Sequence, residues 1–243
     1  QMGAQAFDQV KSDPKMRPSQ DPREVEPVKR IAARIVEAAK RSKYAQMAQQ
    51  FQWEVTVIKD DKTANAFALP GGKMAVYTGI FPMAKTEAGL AAVMGHEVVH
   101  ALARHGAERM SQGQLTNTVL QVAGAAIGLS GGNPMLGQAT MAALGAGAQV
   151  GVLLPFSRKH ESEADYVGIL LAADAGYDPR ESVALWERMG QASGGGGQSE
   201  FFSTHPSHDT RIDQLKEWMP EAMAIYQKRT PVPAAPLPDV GGR

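Results

Sequence analysis

The chain has 243 residues, and its 25 Lys and Arg balance its 25 Asp and Glu, so no global electrostatic field argues for nucleic acid as a partner. Hydrophobic residues make up 43% and charged residues 21%, ordinary globular composition with enough length for a real core. The absence of cysteine excludes disulfides and any thiolate metal site, while leaving the redox compartment open.

The opening, QMGAQAFDQVK, lacks a charged n-region followed by an apolar run, so no signal peptide is legible in it. A targeting or lipid-anchor segment upstream of Gln1 would lie outside this chain. Pro22 to Lys40 carries Val28, Ile31, Ile35 and Val36 at helical spacing, which predicts an amphipathic helix. Residues 1–51 are therefore read as a helical segment packing on a main domain at 52–229. Trp53, Val55 and Val57 alternate with polar neighbours as a strand does, and Asp60-Asp61 supplies a turn. In NAFALPGGKMAVYTG, residues 65–79, two short β-type runs flank Pro70-Gly71-Gly72. Thr86 offers an N-cap to a helix holding Leu90, Val93, Val98 and Leu102.

No charged residue occurs between Arg109 and Arg158, and SGGNP breaks this Ala/Gly-rich interval at residues 130–134. A helical hairpin at about 115–155 is the natural reading. Its second arm, Met135 to Leu154, has the length of a thin membrane span. Gln138, Thr140, Gln149 and a hydrophobicity carried by alanine favour a buried or surface-docking hairpin over insertion. Ser157 opens a helix through Ala173, a further helix lies around Val183 to Met189, and another spans about Asp209 to Lys228. Gly194 to Gly197 predicts a mobile loop up to Phe201. The Pro-rich tail, residues 230–243, is expected to be disordered or extended.

The helix after Thr86 contains VMGHEVVHALARH, residues 93–105. Positions i and i+4 share one helix face, roughly 6 Å apart, so His96 and His100 can aim their rings at one metal ion. Glu97 lies beside that face and can miss the metal yet reach a water bound to it. HExxH is the zinc-protease helix pattern for this reason, two ligands and one general base. A coincidence in a buried helix would leave an unpaired glutamate in an apolar setting, which is expensive. A third ligand must come from elsewhere. In LLPFSRKHESEADYVG, Glu161 and Asp165 share a helix face while Glu163 points away. Glu161 then suits the third ligand position, and Asp165 an acceptor for an imidazole N–H, which fixes the ligand's tautomer. The competing reading of both is a solvated acidic face.

HEVVHALARH, SRKHESEAD and NAFALPGGKMAVYTG together resemble metallopeptidase family forty-eight over roughly residues 52–218. Its soluble bacterial periplasmic quality-control members and its mitochondrial overlapping-activity protease are the nearest in character. The resemblance implies an α+β, mainly helical fold, a zincin-like (gluzincin) metalloprotease domain with a short sheet over the HExxH helix. It implies one Zn2+ per chain held by His96, His100 and Glu161, with Glu97 as general base and Asp165 behind a ligand. It assigns substrate binding by strand addition to Asn65, Ala66, Phe67, Ala68 and Leu69. In STHPSHDTRID, the family's His-Pro pair with an Arg six residues later falls on His205 and Arg211. His205 would stabilise an oxyanion or, in a latent state, fill the fourth zinc position; Arg211 would polarise the substrate carbonyl or organise the site. His208 finds no match and reads as solvent-exposed, and His105 and His160, near helix ends, read as protonated or capping.

The function implied is zinc endopeptidase action on unfolded or misfolded polypeptides in protein quality control. The alternative is a chaperone-like binding module for misfolded or outer-membrane proteins with a capped zinc. A membrane surface or an outer-membrane assembly partner is the further partner implied. The expected location is the bacterial periplasm, with anchoring to the outer membrane through a segment absent from this chain.

Overall fold

The computed structural model describes residues 17–108, 156–193, 200–205 and 210–240. The expected hairpin at 115–155, the glycine run at 194–197 and His208 lie outside the described residues.

Helix α1, Pro22–Ala39, begins where the Asp21 side chain accepts from the Arg23 N–H at 2.9 Å, with Pro22 in the first turn where no donor is needed. Its buried stripe of Val28, Ile31, Ile35 and Val36 is the one predicted, and it enters the main core. A short helix α2, Ala45–Gln50, leads to a three-stranded sheet of β1 (Glu54–Ile58), β2 (Ala66–Leu69) and β3 (Lys73–Tyr77) in the order β1-β3-β2. The β2–β3 hairpin turns at Gly71 and Gly72, with φ 97° and 96°, backbone that favours glycine. β3 pairs antiparallel with β2 on one side and parallel with β1 on the other. The outer edge of β1 is covered by the incoming chain, where Ser19 N–H donates to Val57 O at 2.8 Å and Lys59 N–H to Arg17 O at 2.8 Å. Among the described residues, no strand pairs with the outer edge of β2.

After a 3-10 turn and the single-turn helix α3 (Phe81–Ala84) comes helix α4, Glu87–Leu102. The Thr86 hydroxyl caps it, accepting from Gly89 N–H at 3.0 Å. All of its residues are buried, as befits the central helix of the domain. Helices α5 (Arg158–Asp174), α6 (Arg180–Ser193), α7 (Glu200–Thr204) and α8 (Arg211–Tyr226) follow. Ser157 caps α5 as predicted, its hydroxyl accepting from His160 N–H at 3.2 Å. The crossing of α4 and α5 is set by two glycines: a Cβ on Gly95 would stand 2.8 Å from Gly168 O, and one on Gly168 2.9 Å from His96 N. Only glycine permits this backbone approach.

The Pro-rich tail is extended through residue 240 and is not the disordered strand one branch of the expectation allowed. Main-chain bonds pin it: Val232 N–H to Gly176 O at 2.7 Å, Glu87 N–H to Ala235 O at 2.9 Å and Leu237 N–H to Lys85 O at 2.9 Å. Leu237 joins the main core. Among the described residues, no helix is long and apolar enough to cross a membrane. The architecture is helix-rich with a small mixed sheet.

Candidate metal centre

The Gly95–Gly168 approach brings the middle of α4 against the first turns of α5, so His96, His100, Glu161 and Asp165 meet in the interior. One ligand atom each from His96, His100, Glu161 and His205 lie within 4.8 Å of one another, all four side chains buried. His96 Nε2 is 3.0 Å from His100 Nε2 and 3.5 Å from a Glu161 oxygen, and His100 Nε2 is 3.2 Å from the other Glu161 oxygen. His205, at the end of α7, places Nδ1 2.9 Å from Glu161 Oε1 and 3.2 Å from His96 Nε2.

These spacings fit a shared cation. Ligands about 2.0–2.2 Å from zinc at tetrahedral corners stand roughly 3.3–3.5 Å from each other. The proton inventory points the same way. Asp165 Oδ1 accepts from His96 Nδ1 at 2.9 Å, which leaves Nε2, facing His100, as the His96 nitrogen open to a cation. Lone pairs and a carboxylate converging at such distances repel unless a metal cation or a shared proton lies among them. All-oxygen cations are poorly served by two imidazoles, whereas zinc takes this nitrogen and carboxylate set.

Arg211, at the start of α8, braces the carboxylates from behind. Its Nε donates to Asp165 Oδ2 at 2.5 Å and its Nη2 to Glu161 Oε2 at 2.5 Å, while its guanidinium lies 3.5 Å from the centroid of the Trp186 ring. Burial pushes the Glu161 and Asp165 carboxyls up, but neighbouring charge and hydrogen bonds prevail: the facing histidines hold Glu161 far below the usual range, and Arg211 holds Asp165 below it. Desolvation takes His100 well below the ordinary imidazole value, which keeps it in the neutral form that binds metals.

Glu97 differs. Burial raises its carboxyl above the usual range, and Oε1 has no hydrogen-bond partner among the described residues. His205 Nε2 lies 3.3 Å from that oxygen without hydrogen-bond alignment. The Ala68 N–H of β2 reaches the same carboxylate. Of the five expected substrate-strand residues, Ala68 is thus next to Glu97, while Phe67 and Leu69 pack on the far face of the sheet with Ile58 and Tyr77. The Asn65 side chain accepts from its neighbour's N–H, Ala66, at 2.9 Å.

One expectation needs correction. His105 does not face solvent at a helix end: it is 2% exposed, burial lowers its pKa, and Nδ1 stands 3.0 Å from His100 Nδ1. His160 stacks on it with ring centroids 4.4 Å apart. Spacing did not reveal His105, because the chain turns between it and His100 at Arg104, whose φ of 61° is rare for a side-chain-bearing residue. The repeated histidine in HALARH was the available signal.

Comparison with known proteins returns Peptidase family M48 over residues 22–219. The chain is 42% identical over 224 residues to the mitochondrial metalloendopeptidase OMA1 of Schizosaccharomyces pombe, covering 91% of this chain and 61% of that protein. Human mitochondrial metalloendopeptidase OMA1 is 33% identical over 181 residues, 73% of this chain and 34% of that protein. The β-barrel assembly-enhancing protease of Escherichia coli K12 is 31% identical over 150 residues, 61% of this chain and 31% of that protein. The chain thus spans about six-tenths of the length of the first of these and less of the others. The expected bacterial periplasmic location is overturned, since the relatives of higher identity are mitochondrial and only the less identical one belongs to a bacterium. With a match over nearly the whole described fold and the quoted motifs inside it, the chain belongs to Peptidase family M48.

Proposed function

We propose that this chain is a zinc-dependent endopeptidase acting on unfolded or misfolded polypeptides, in protein quality control. The observation that carries the reading is the convergence of His96, His100 and Glu161 beside a buried glutamate, Glu97, whose Oε1 lacks a hydrogen-bond partner among the described residues. His96, His100 and Glu161 would hold the zinc. When bound, that ion supplies Lewis-acid polarisation of the scissile carbonyl and acidifies water.

The remaining work falls to side chains and backbone. Glu97 Oε1 takes the proton of the attacking water and returns it to the departing amine, a role suited to a carboxyl whose proton affinity burial raises. Asp165 and Arg211 hold His96 and Glu161 in orientation. Asn65 O accepts from Tyr77 N–H at 3.0 Å, so Asn65 pairs with β3 and, by alternation, Ala66 and Ala68 turn their main-chain groups outward, the Ala68 N–H meeting Glu97. A peptide added along that edge would be gripped by main-chain bonds indifferent to its sequence, which suits varied unfolded substrates.

His205 stands between the ligand set and Glu97 and blocks both. It acts as a plug that keeps the resting site latent, and its displacement opens the fourth position. The second reading, a binding module with a capped zinc, draws on the same contact. Digestion of unfolded casein separates the two. Glu97→Gln should retain zinc and lose cleavage by about 10²-fold or more, and His96→Ala should lose zinc. His205→Ala should cleave faster than wild type. Silence from both wild type and His205→Ala, with zinc bound and casein captured, would favour the binding module; wild-type cleavage by Glu97→Gln would refute the assigned base.

A further inference from the structure

The two histidines of α4 are supported differently behind their metal-facing nitrogens. His96 leans directly on a buried carboxylate, Asp165. Behind His100 stands another imidazole, His105, with Nδ1 at 3.0 Å from His100 Nδ1. His105 Nε2 in turn lies 3.3 Å from Glu163 Oε2. The other Glu163 oxygen accepts from Tyr44 OH at 2.6 Å and from Lys43 Nζ at 2.8 Å. This row borders a cavity of about 540 Å³ on the flank of the domain, lined among others by Lys43, Tyr44, His105 and Glu163.

We infer that His105 and Glu163 position the metal ligand His100, forming a carboxylate–imidazole–imidazole row that fixes its tautomer and strengthens zinc binding from outside the substrate cleft. The inference rests on His100 being a ligand and extends that reading to residues with no contact to substrate.

The proton count dictates the direction of the row. Glu163 Oε1 is met by two donors, the Lys43 ammonium and the Tyr44 hydroxyl, the partner set of a carboxylate, so towards His105 it only accepts. His105 must then donate from Nε2. A neutral imidazole has one N–H, so with Nε2 turned to Glu163 the Nδ1 of His105 carries a lone pair. His100 is obliged to donate from Nδ1, which leaves Nε2, the nitrogen facing His96 and Glu161, bare for a cation. The reverse arrangement would put a proton on His100 Nε2 and remove a ligand. Outer partners of this sort set ring orientation and basicity, and losing one typically costs 10–100-fold in metal affinity. The left-handed turn at Arg104 serves this contact, since it folds His105 back onto the helix that carries His100.

Zinc affinity of the whole chain, measured by competition with a chromophoric chelator, tests the row, together with the visible absorption of the cobalt(II)-loaded protein. His105→Phe keeps a ring to stack on His160 and deletes both nitrogens; it should bind zinc about 10–100-fold more weakly. His105→Asn puts an amide oxygen where Nδ1 stood and should recover part of that loss. Glu163→Gln, at a side chain 33% exposed, should weaken binding by a smaller factor and shift the cobalt bands, which a merely structural role would not do. Wild-type affinity and spectrum in both His105→Phe and Glu163→Gln would overturn the inference. Should circular dichroism show His105→Phe unfolded, Glu163→Gln decides alone. Failure of wild type to bind one zinc, or wild-type affinity in His96→Ala, would instead strike at the metal reading itself.

Discussion

Helix α5 is braced at both ends by arginine on carboxylate, and the two braces differ in little except water. Near its start, Arg211 is 1% exposed and grips Asp165 and Glu161. At its last residue, Asp174 receives Arg41 at 2.6 Å and also Arg229, whose side chains are 47% and 43% exposed. A carboxylate at a helix C-terminus is unfavourable against the peptide dipoles, and two surface arginines offset it. The interior pair has no solvent to fall back on. Its charges are tolerated only because each carboxylate is met by a guanidinium or an imidazole, so removing one partner strands the others. Similar ion pairs thus perform different tasks: one shapes a site, the other trims a surface.

Three changes probe that contrast, in falling order of effect. Arg211→Ala should cost about 3–5 kcal/mol in chemical denaturation of the metal-free protein, since two buried carboxylates lose their counter-charge; a loss below about 1 kcal/mol would mean that the interior brace is no stronger than the surface one. Gly168→Ala should cost about 1–3 kcal/mol, because its methyl would meet the His96 backbone. It should also weaken zinc binding by moving α5, which thermal melts with and without zinc would register. Arg229→Ala should change stability by less than about 1 kcal/mol, and salt near 1 M should erase that difference while leaving the Arg211 effect largely in place.

Much of this centre was legible in the chain itself. The HExxH spacing and the i, i+4 relation of Glu161 to Asp165 follow from helical geometry, and these side chains do converge. Thr86 and Ser157 announced their helices by capping chemistry. Other contacts were illegible because nothing local encodes them. The parallel pairing of β1 with β3 skips over β2. The tail is held by its backbone, which composition does not report, so a Pro-rich stretch read as loose is anchored at Gly176 and Lys85. His105 depends on one residue adopting an unusual φ. Glu163 was rightly seen to point away from Glu161, yet its partners, Lys43 and Tyr44, lie 120 and 119 positions earlier in the chain.

Helix α4 has no wet side: from Glu87 to Leu102 every residue is enclosed. A fluorophore, spin label or crosslinker attached anywhere along it would therefore perturb the interior it was meant to report on. Changes at this centre are better followed through a spectroscopically active ion, or through labels on the exposed cavity rim at Gln46 and Gln50.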